Sequence, residues 1–258
     1  MSRLRHHGLV LVGVVTATLI MTACGGSAPG SPDGATHASG GTVVVVAAAS
    51  LTESLTRIAQ DFESANPGTD VEVSFGSSST LVQQVNNGAP ANVIALAGEA
   101  AAQPLDEALV KDQRVFATNV LEIAVPPDNP AKVTGIDDLG RTGLKVVLCA
   151  STVPCGQATD ATFRKARIVP SVVSREVDVK ATLAKVRLGE ADAAVVYHSD
   201  VVAARGTVTG IEIPPPFNTT LRYPVVRLDD DPATRAFVDF VLGAESRTTL
   251  TSFGLGVP

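Results

Sequence analysis

Tryptophan is absent from this 258-residue chain, aromatic residues make up only 4%, and there are four histidines, three cysteines and two methionines. Each shortage excludes a class of function. With no tryptophan, two tyrosines (Tyr197 and Tyr223) and no run of basic residues, the chain lacks both a stacking platform and a phosphate-tracking strip. Nucleic acid is not an expected partner. His6, His7 and His37 all precede Gly40, leaving His198 as the one imidazole in the rest of the chain. It has no ligand spacing with the cysteines, so a bare metal cation is not expected, nor is any cofactor. No serine sits in a G-x-S-x-G elbow, and His198, at the end of an apparent strand, reads as a solvated loop residue before it reads as a general base. The chain is not expected to be an enzyme, and it shows no internal repeat.

Long hydrophobic runs are also lacking. The longest, Leu9 to Ile20, is too short to span a membrane comfortably and follows Arg3 and Arg5. It ends in "MTAC" before two glycines. Small residues ahead of a cysteine here resemble a bacterial lipobox, which implies cleavage before Cys24 and lipid on its sulfur. An ordinary signal peptide with an incidental cysteine is the alternative. Either reading makes residues 1–23 an export signal, and the first anchors the protein to the outer face of the cytoplasmic membrane. Residues 24–41 are glycine, serine, proline and alanine with little apolar bulk, the composition of a flexible tether. Losing residues 1–23 removes two arginines and no acids, so 20 basic residues become 18 against 26 acidic ones, and the net charge moves from −6 to −8.

What remains is patterned as alternating strands and helices, in a length sufficient for one large domain or two small lobes. Val43 to Val46 is a continuous β-branched run, as in a strand buried on both faces. Residues 71–75, 92–97, 120–126, 144–149, 192–197 and 222–228 also read as strands. Helices are expected from Leu51 to the Asn66-Pro67-Gly68 stop and over 81–87, 99–109, 155–167 and 179–188, with a last one capped by Asp231-Pro232 and ending at Leu242. Strands separated by helices indicate a mainly parallel α/β sheet, with ligands at the carboxyl ends of its strands.

Four strand-to-helix junctions carry the chemistry: "AAASL" with Ser50, "FGSSSTL" (75–81), "VPCG" (153–156) and "VVYHSD" (195–200). They offer hydroxyls and helix-start amides. None offers a lysine, and none is read as offering a carboxylate to a ligand. Such a set suits a small anion held by hydrogen bonds rather than by a salt bridge. Ser50 alone is ambiguous, because Ser50-Leu51-Thr52-Glu53 also fits a capping box.

In order and spacing, "AAASLTESL", "SFGSSSTLVQQVNNGAPANV", "VPCG", "VVYHSD" and "RYPVV" resemble the periplasmic molybdate-binding proteins of ABC uptake systems. The resemblance covers residues 42–258. It implies a two-lobed, type II periplasmic-binding-protein fold with helices on both faces of its sheets. Lobe one would be 42–121 plus 222–258 and lobe two 122–221, joined by two hinge crossings at "LEIAVP" and "LRYPVV". It implies ligand contacts from Ser50, Ser78, Cys155, Val179 and Tyr197, with Cys155 and Val179 acting through backbone N–H. Ser50 would then both cap its helix and touch the anion. The ligand would be molybdate or tungstate, the partners a membrane permease with its cytoplasmic ATPase, and the protein a monomer. Sulfate is the rival ligand; ferric-ion binders use paired tyrosines and carboxylates, which Tyr197 and Tyr223 do not suggest.

The chain departs from that family at Asn92, where aspartate is usual, and at "LAGE" (96–99); both positions are expected to pack behind the cleft. Cys149 and Cys155 enclose five residues in an exported chain, so a disulfide is the natural reading. A redox-active pair is the alternative, although the spacing is not C-x-x-C.

Overall fold

The computed structural model describes residues 40–258. The signal segment 1–23, Cys24 and all but the last two residues of the tether lie outside that range. The four-valine run falls in strand β1 (Gly41–Ala48), flanked by β2 (Thr69–Gly76) and β3 (Val93–Ala95), both parallel to it. Its continuous apolar character has a direct cause: both faces are covered. Val43 and Val45 belong to the core shared with α1 (Thr52–Ala65) and α6 (Pro232–Leu242), where Phe62 meets Phe237 edge to face at 5.2 Å. Val46 packs instead with Ile94 and with Leu81, Val82 and Val85 of α2 (Ser78–Asn86).

The sheet continues through β9 (Thr220–Arg227) to the 14-residue strand β4 (Asp112–Val125). Along β4 the partners change. Asp112 to Val120 pair antiparallel with β9, whereas Leu121 to Val125 pair antiparallel with β7 (Ala193–Tyr197) and β8 (Thr209–Glu212). Beyond β7 lie β5 (Val146–Cys149) and the edge strand β6 (Val172–Glu176), both parallel. The order is β2-β1-β3-β9-β4-β7-β5-β6, with parallel pairing at either end and antiparallel pairing where the long strands β4 and β9 run. Helices α3 (Pro154–Ala166), α4 (Val179–Arg187) and α5 (His198–Ala203) connect the strands of the second half, and α7 (Ala244–Ser252) follows α6.

One expected helix is absent. Residues 99–109 form two short 3-10 turns, Glu99–Ala101 and Glu107–Leu109, rather than a continuous helix. Pro104 lies between them, where it removes a donor and disfavours helical geometry in Gln103. Asn86 fixes this loop by donating to the Pro104 carbonyl at 2.7 Å. Strands β6 and β8 and helix α7 were not among the expected elements. No helix of the described residues is long and apolar enough to cross a membrane.

Candidate functional site

Strands β1, β2, β5, β6 and β7 each deliver their carboxyl end to a helical start, and these starts meet at one small cavity. Its volume is about 20 Å³, the scale of a single small group, since one water needs about 10–15 Å³. Ser50, Ser78, Cys155, Val179 and Tyr197 all line it, although they come from five separate segments. Among the described residues no lysine or arginine lines it.

Each of the five stands differently in its element. Ser50 does not cap α1. The chain leaves β1 through a 3-10 turn, Ala49–Leu51, and the α1 cap position falls on Leu51 without a side-chain bond. The Ser50 hydroxyl instead pairs with Tyr223 Oη at 2.9 Å, and both groups are buried. The capping-box expectation is therefore corrected, and Glu53 turns outward to Lys180 rather than back to the helix end.

In the serine triplet the labour is divided. Ser77 is the cap of α2, its Oγ accepting from Thr80 N–H at 3.2 Å. Ser78 is the first helical residue, and its Oγ accepts from Ala97 N–H at 2.9 Å. That leaves the Ser78 hydroxyl hydrogen for another acceptor. The first-turn amides of a helix have no partner in their own helix. This frees the N–H groups of Ser78 on α2, Cys155 on α3 and Val179 on α4, each at the positive end of its helix.

Around Cys155 the reason for "VPCG" is steric. Pro154 occupies the first turn of α3, where its missing N–H costs nothing. A Cβ on Gly156 would lie 1.9 Å from the Ala150 carbonyl oxygen, so only glycine fits. Cys155 is joined to Cys149 by a disulfide, with Cα atoms 5.8 Å apart, which ties the start of α3 to the end of β5. Its side chain is thus committed, and only its backbone is free to serve a ligand.

Tyr197 ends β7 and is 1% exposed, yet its hydroxyl has no hydrogen-bond partner among the described residues. Burial raises its pKa well above the usual phenol value, with the neighbouring Tyr223 and Asp200 adding to the effect. It is therefore a neutral donor throughout the physiological range. Its ring packs edge to face with that of Tyr223 at 6.2 Å.

Two features depart from the expected chemistry. Asp178 lines the cavity, so a carboxylate is present after all, but its Oδ1 accepts from Ala181 N–H at 2.8 Å as the cap of α4. Asp200, in the fourth junction, is fully buried and accepts from Tyr197 N–H at 3.2 Å. Behind the cavity Lys180 Nζ joins Asp200 (3.0 Å) to Glu53 (2.7 Å), linking α4, α5 and α1. Burial opposes the Lys180 charge, but Asp200 and Glu53 outweigh it and hold its pKa above the ordinary value. For Asp200 burial dominates, and its pKa lies above the usual carboxylate value despite Lys180.

His198 is elsewhere: its Nδ1 lies 2.7 Å from buried Glu122, and the two line a different cavity of about 320 Å³. It is not placed to act as a base for Ser50 or Ser78. Among the described residues no group of three or more His, Cys, Asp or Glu is placed to hold a metal ion. Asn92 lies away from the site, accepting from Val44 N–H at 2.6 Å and donating to Asp229. Gly98 adopts φ +99°, and Glu99 pairs with Arg222 at 3.0 Å on the surface.

Sequence reasoning missed Asp178, Lys180 and the buried Asn119–Tyr223–Ser199 cluster behind Ser50. The only signal for Tyr223 was the "RYPVV" segment in which it stands.

Residues 43–256 match the family described as bacterial extracellular solute-binding protein. The molybdate-binding protein ModA of Mycobacterium tuberculosis is 36% identical over 253 residues, covering 95% of this chain and 97% of that protein. ModA of Escherichia coli is 30% identical over 235 residues, covering 84% and 90%. Among solved structures, the substrate-binding domain of a putative molybdenum ABC transporter from Clostridium difficile superposes with a TM-score of 0.65 at 26% identity, covering 84% of this chain and 99% of that one.

Proposed function

Because the chain belongs to the bacterial extracellular solute-binding protein family, we propose that it captures molybdate, and tungstate with it, outside the cell for an ABC importer. One observation carries this reading: hydroxyls and helix-start amides from five segments line a single cavity that no lysine or arginine among the described residues lines. Ser50, Ser78 and Tyr197 donate through their hydroxyls, and Ser50, Ser78, Cys155 and Val179 through backbone N–H. Hydrogen bonds to a charged group contribute about 1.5–3 kcal/mol each, so a handful of donors suffices without a cation. The names of the relatives support molybdate as the anion.

The body works as two lobes, 42–121 plus 222–258 and 122–221, which the chain crosses in Leu121–Pro126 and Leu221–Val226. The change of partners along β4 between Val120 and Leu121 supports this division. Ser50 and Ser78 then belong to one lobe and Cys155, Val179 and Tyr197 to the other. An anion touching both favours the closed form, which a membrane permease with its cytoplasmic ATPase would read. The protein acts as a monomer held at the outer face of the membrane by lipid on Cys24. Cys24→Ala should release it into the medium, and a variant as firmly membrane-bound as the parent would remove the anchor from this reading.

Thermal melting with molybdate, tungstate, sulfate and phosphate in parallel tests the ligand. A ligand at a hundred times its dissociation constant adds about 2.7 kcal/mol. Molybdate and tungstate should raise the melting temperature and phosphate should not. Sulfate protecting as well as molybdate at equal concentration would reassign the substrate.

A further inference from the structure

Behind the cavity, Ser50 is held by buried polar groups that begin at an amide of fixed orientation. Asn119, on β4, is 3% exposed, and its Oδ1 accepts from Val120 N–H at 3.1 Å and Ser199 N–H at 3.5 Å. A backbone N–H can only donate, so the orientation of this amide is fixed and Nδ2 must be the donor. It donates to Ser199 Oγ at 2.8 Å and to Tyr223 Oη at 3.3 Å. Tyr223 has one hydrogen to give, and Ser50 Oγ lies 2.9 Å away, a contact in which either hydroxyl can be the donor. Ser199 does not compete, because its hydroxyl donates to the Ser50 carbonyl oxygen at 3.5 Å. With Tyr223 as the donor, Ser50 Oγ accepts there and its own hydrogen turns to the cavity it lines.

We propose that Tyr223, aligned by Asn119, is a positioning residue that fixes Ser50 as a hydrogen-bond donor toward the bound oxyanion. This rests on the reading of Ser50 as an anion contact. An isolated serine hydroxyl rotates among three staggered positions and accepts as readily as it donates. A dianion needs donors only, and a hydroxyl already pointing at it requires no reorganisation on binding. Asn119 and Tyr223 therefore act on affinity without touching the ligand.

Titration calorimetry with molybdate on wild type, Ser50→Ala, Tyr223→Phe and the double variant tests this. Tyr223→Phe should weaken binding roughly three- to 30-fold, short of the full loss of a charged hydrogen bond because Ser50 can still rotate into place. In the Ser50→Ala background the same change should add less than about twofold. A merely structural tyrosine would weaken binding equally in both backgrounds, and that result, or wild-type affinity in Tyr223→Phe, would overturn the proposal. Asn119→Asp supplies a second variant: it keeps an acceptor for the Val120 and Ser199 amides but deletes the donor to Tyr223. Its loss should likewise shrink in the Ser50→Ala background, and a loss undiminished there would count against the relay. No binding heat in wild type would remove the molybdate reading and this inference with it, a result distinct from additive losses in a protein that binds.

Discussion

Replacing Ser78 with alanine removes an oxygen that serves two purposes, and each has its own magnitude. Ser78 Oγ accepts from Ala97 N–H at 2.9 Å, and both residues are buried. Without it the amide has no acceptor, which costs about 1–3 kcal/mol. In a domain of this size each kcal/mol moves the melting temperature by about 2–4 °C, so the ligand-free protein should melt several degrees lower. The lost hydroxyl hydrogen bond to the dianion should weaken molybdate binding roughly ten- to 150-fold. Ser77→Ala is the matched control: Ser77 also lines the cavity, but its Oγ accepts from Thr80 N–H as the cap of α2 and lies 2.9 Å from Thr80 Oγ1, which can take its hydrogen. That change should cost about 1 kcal/mol of stability while leaving affinity within a fewfold of wild type. Scanning and titration calorimetry on the two adjacent serines separate the effects. If Ser78→Ala kept wild-type affinity, or Ser77→Ala lost as much, the assignment of roles within the triplet would be refuted. Because no lysine or arginine among the described residues lines the cavity, raising salt should change wild-type affinity only modestly.

Lys180→Met should destabilise the protein by about 1–3 kcal/mol, less than breaking a fully buried pair because Lys180 is 27% exposed. Its folded pKa is raised, so its contribution is complete below its ordinary 10.5 and is lost as pH rises through the higher folded value. The wild-type advantage in melting temperature should therefore shrink above pH 10.5, and an advantage constant to higher pH would contradict the pairing. Gly156→Ala places a Cβ against the Ala150 carbonyl and should cost 3 kcal/mol or more, roughly the upper range for overpacking; a melting temperature within a degree of wild type would show that α3 starts differently. The peptide spanning Cys149 and Cys155 should lack two hydrogens in unreduced protein, and reducing the bond should cost about 2 kcal/mol. Two freely alkylated thiols would revive the redox reading.

The strands that carry the site were legible because they are short, apolar and bounded by turn residues, as in Val43 to Val46 before Ser50. The helix capped by Asp231 was equally plain: Asp231 Oδ1 accepts from Ala233 N–H at 2.9 Å, and Pro232 begins the helix. Ser50 was half read. Its S-x-x-E pattern is local, but the 3-10 turn that shifts the start of α1 to Thr52 is set by how β1 leaves the sheet. Residues 99–109 look helical by composition, and Pro104 outweighed that composition. Edge strand β6 is short and half polar, which gives little periodicity to detect. Asn119, Ser199 and Tyr223 come together only through the pairing of β4 with β7 and β9, at separations of 80 and 104 residues. No local pattern carries such a contact.

Titration of the wild-type protein and of Ser50→Ala/Ser78→Ala with molybdate, under identical conditions, bears most directly on the site. One anion should bind per wild-type chain, and losing two hydroxyl donors should cut affinity at least a hundredfold, roughly 3 kcal/mol. Equal affinity in the two proteins would show that molybdate binds somewhere other than the cavity lined by Ser50, Ser78, Cys155, Val179 and Tyr197.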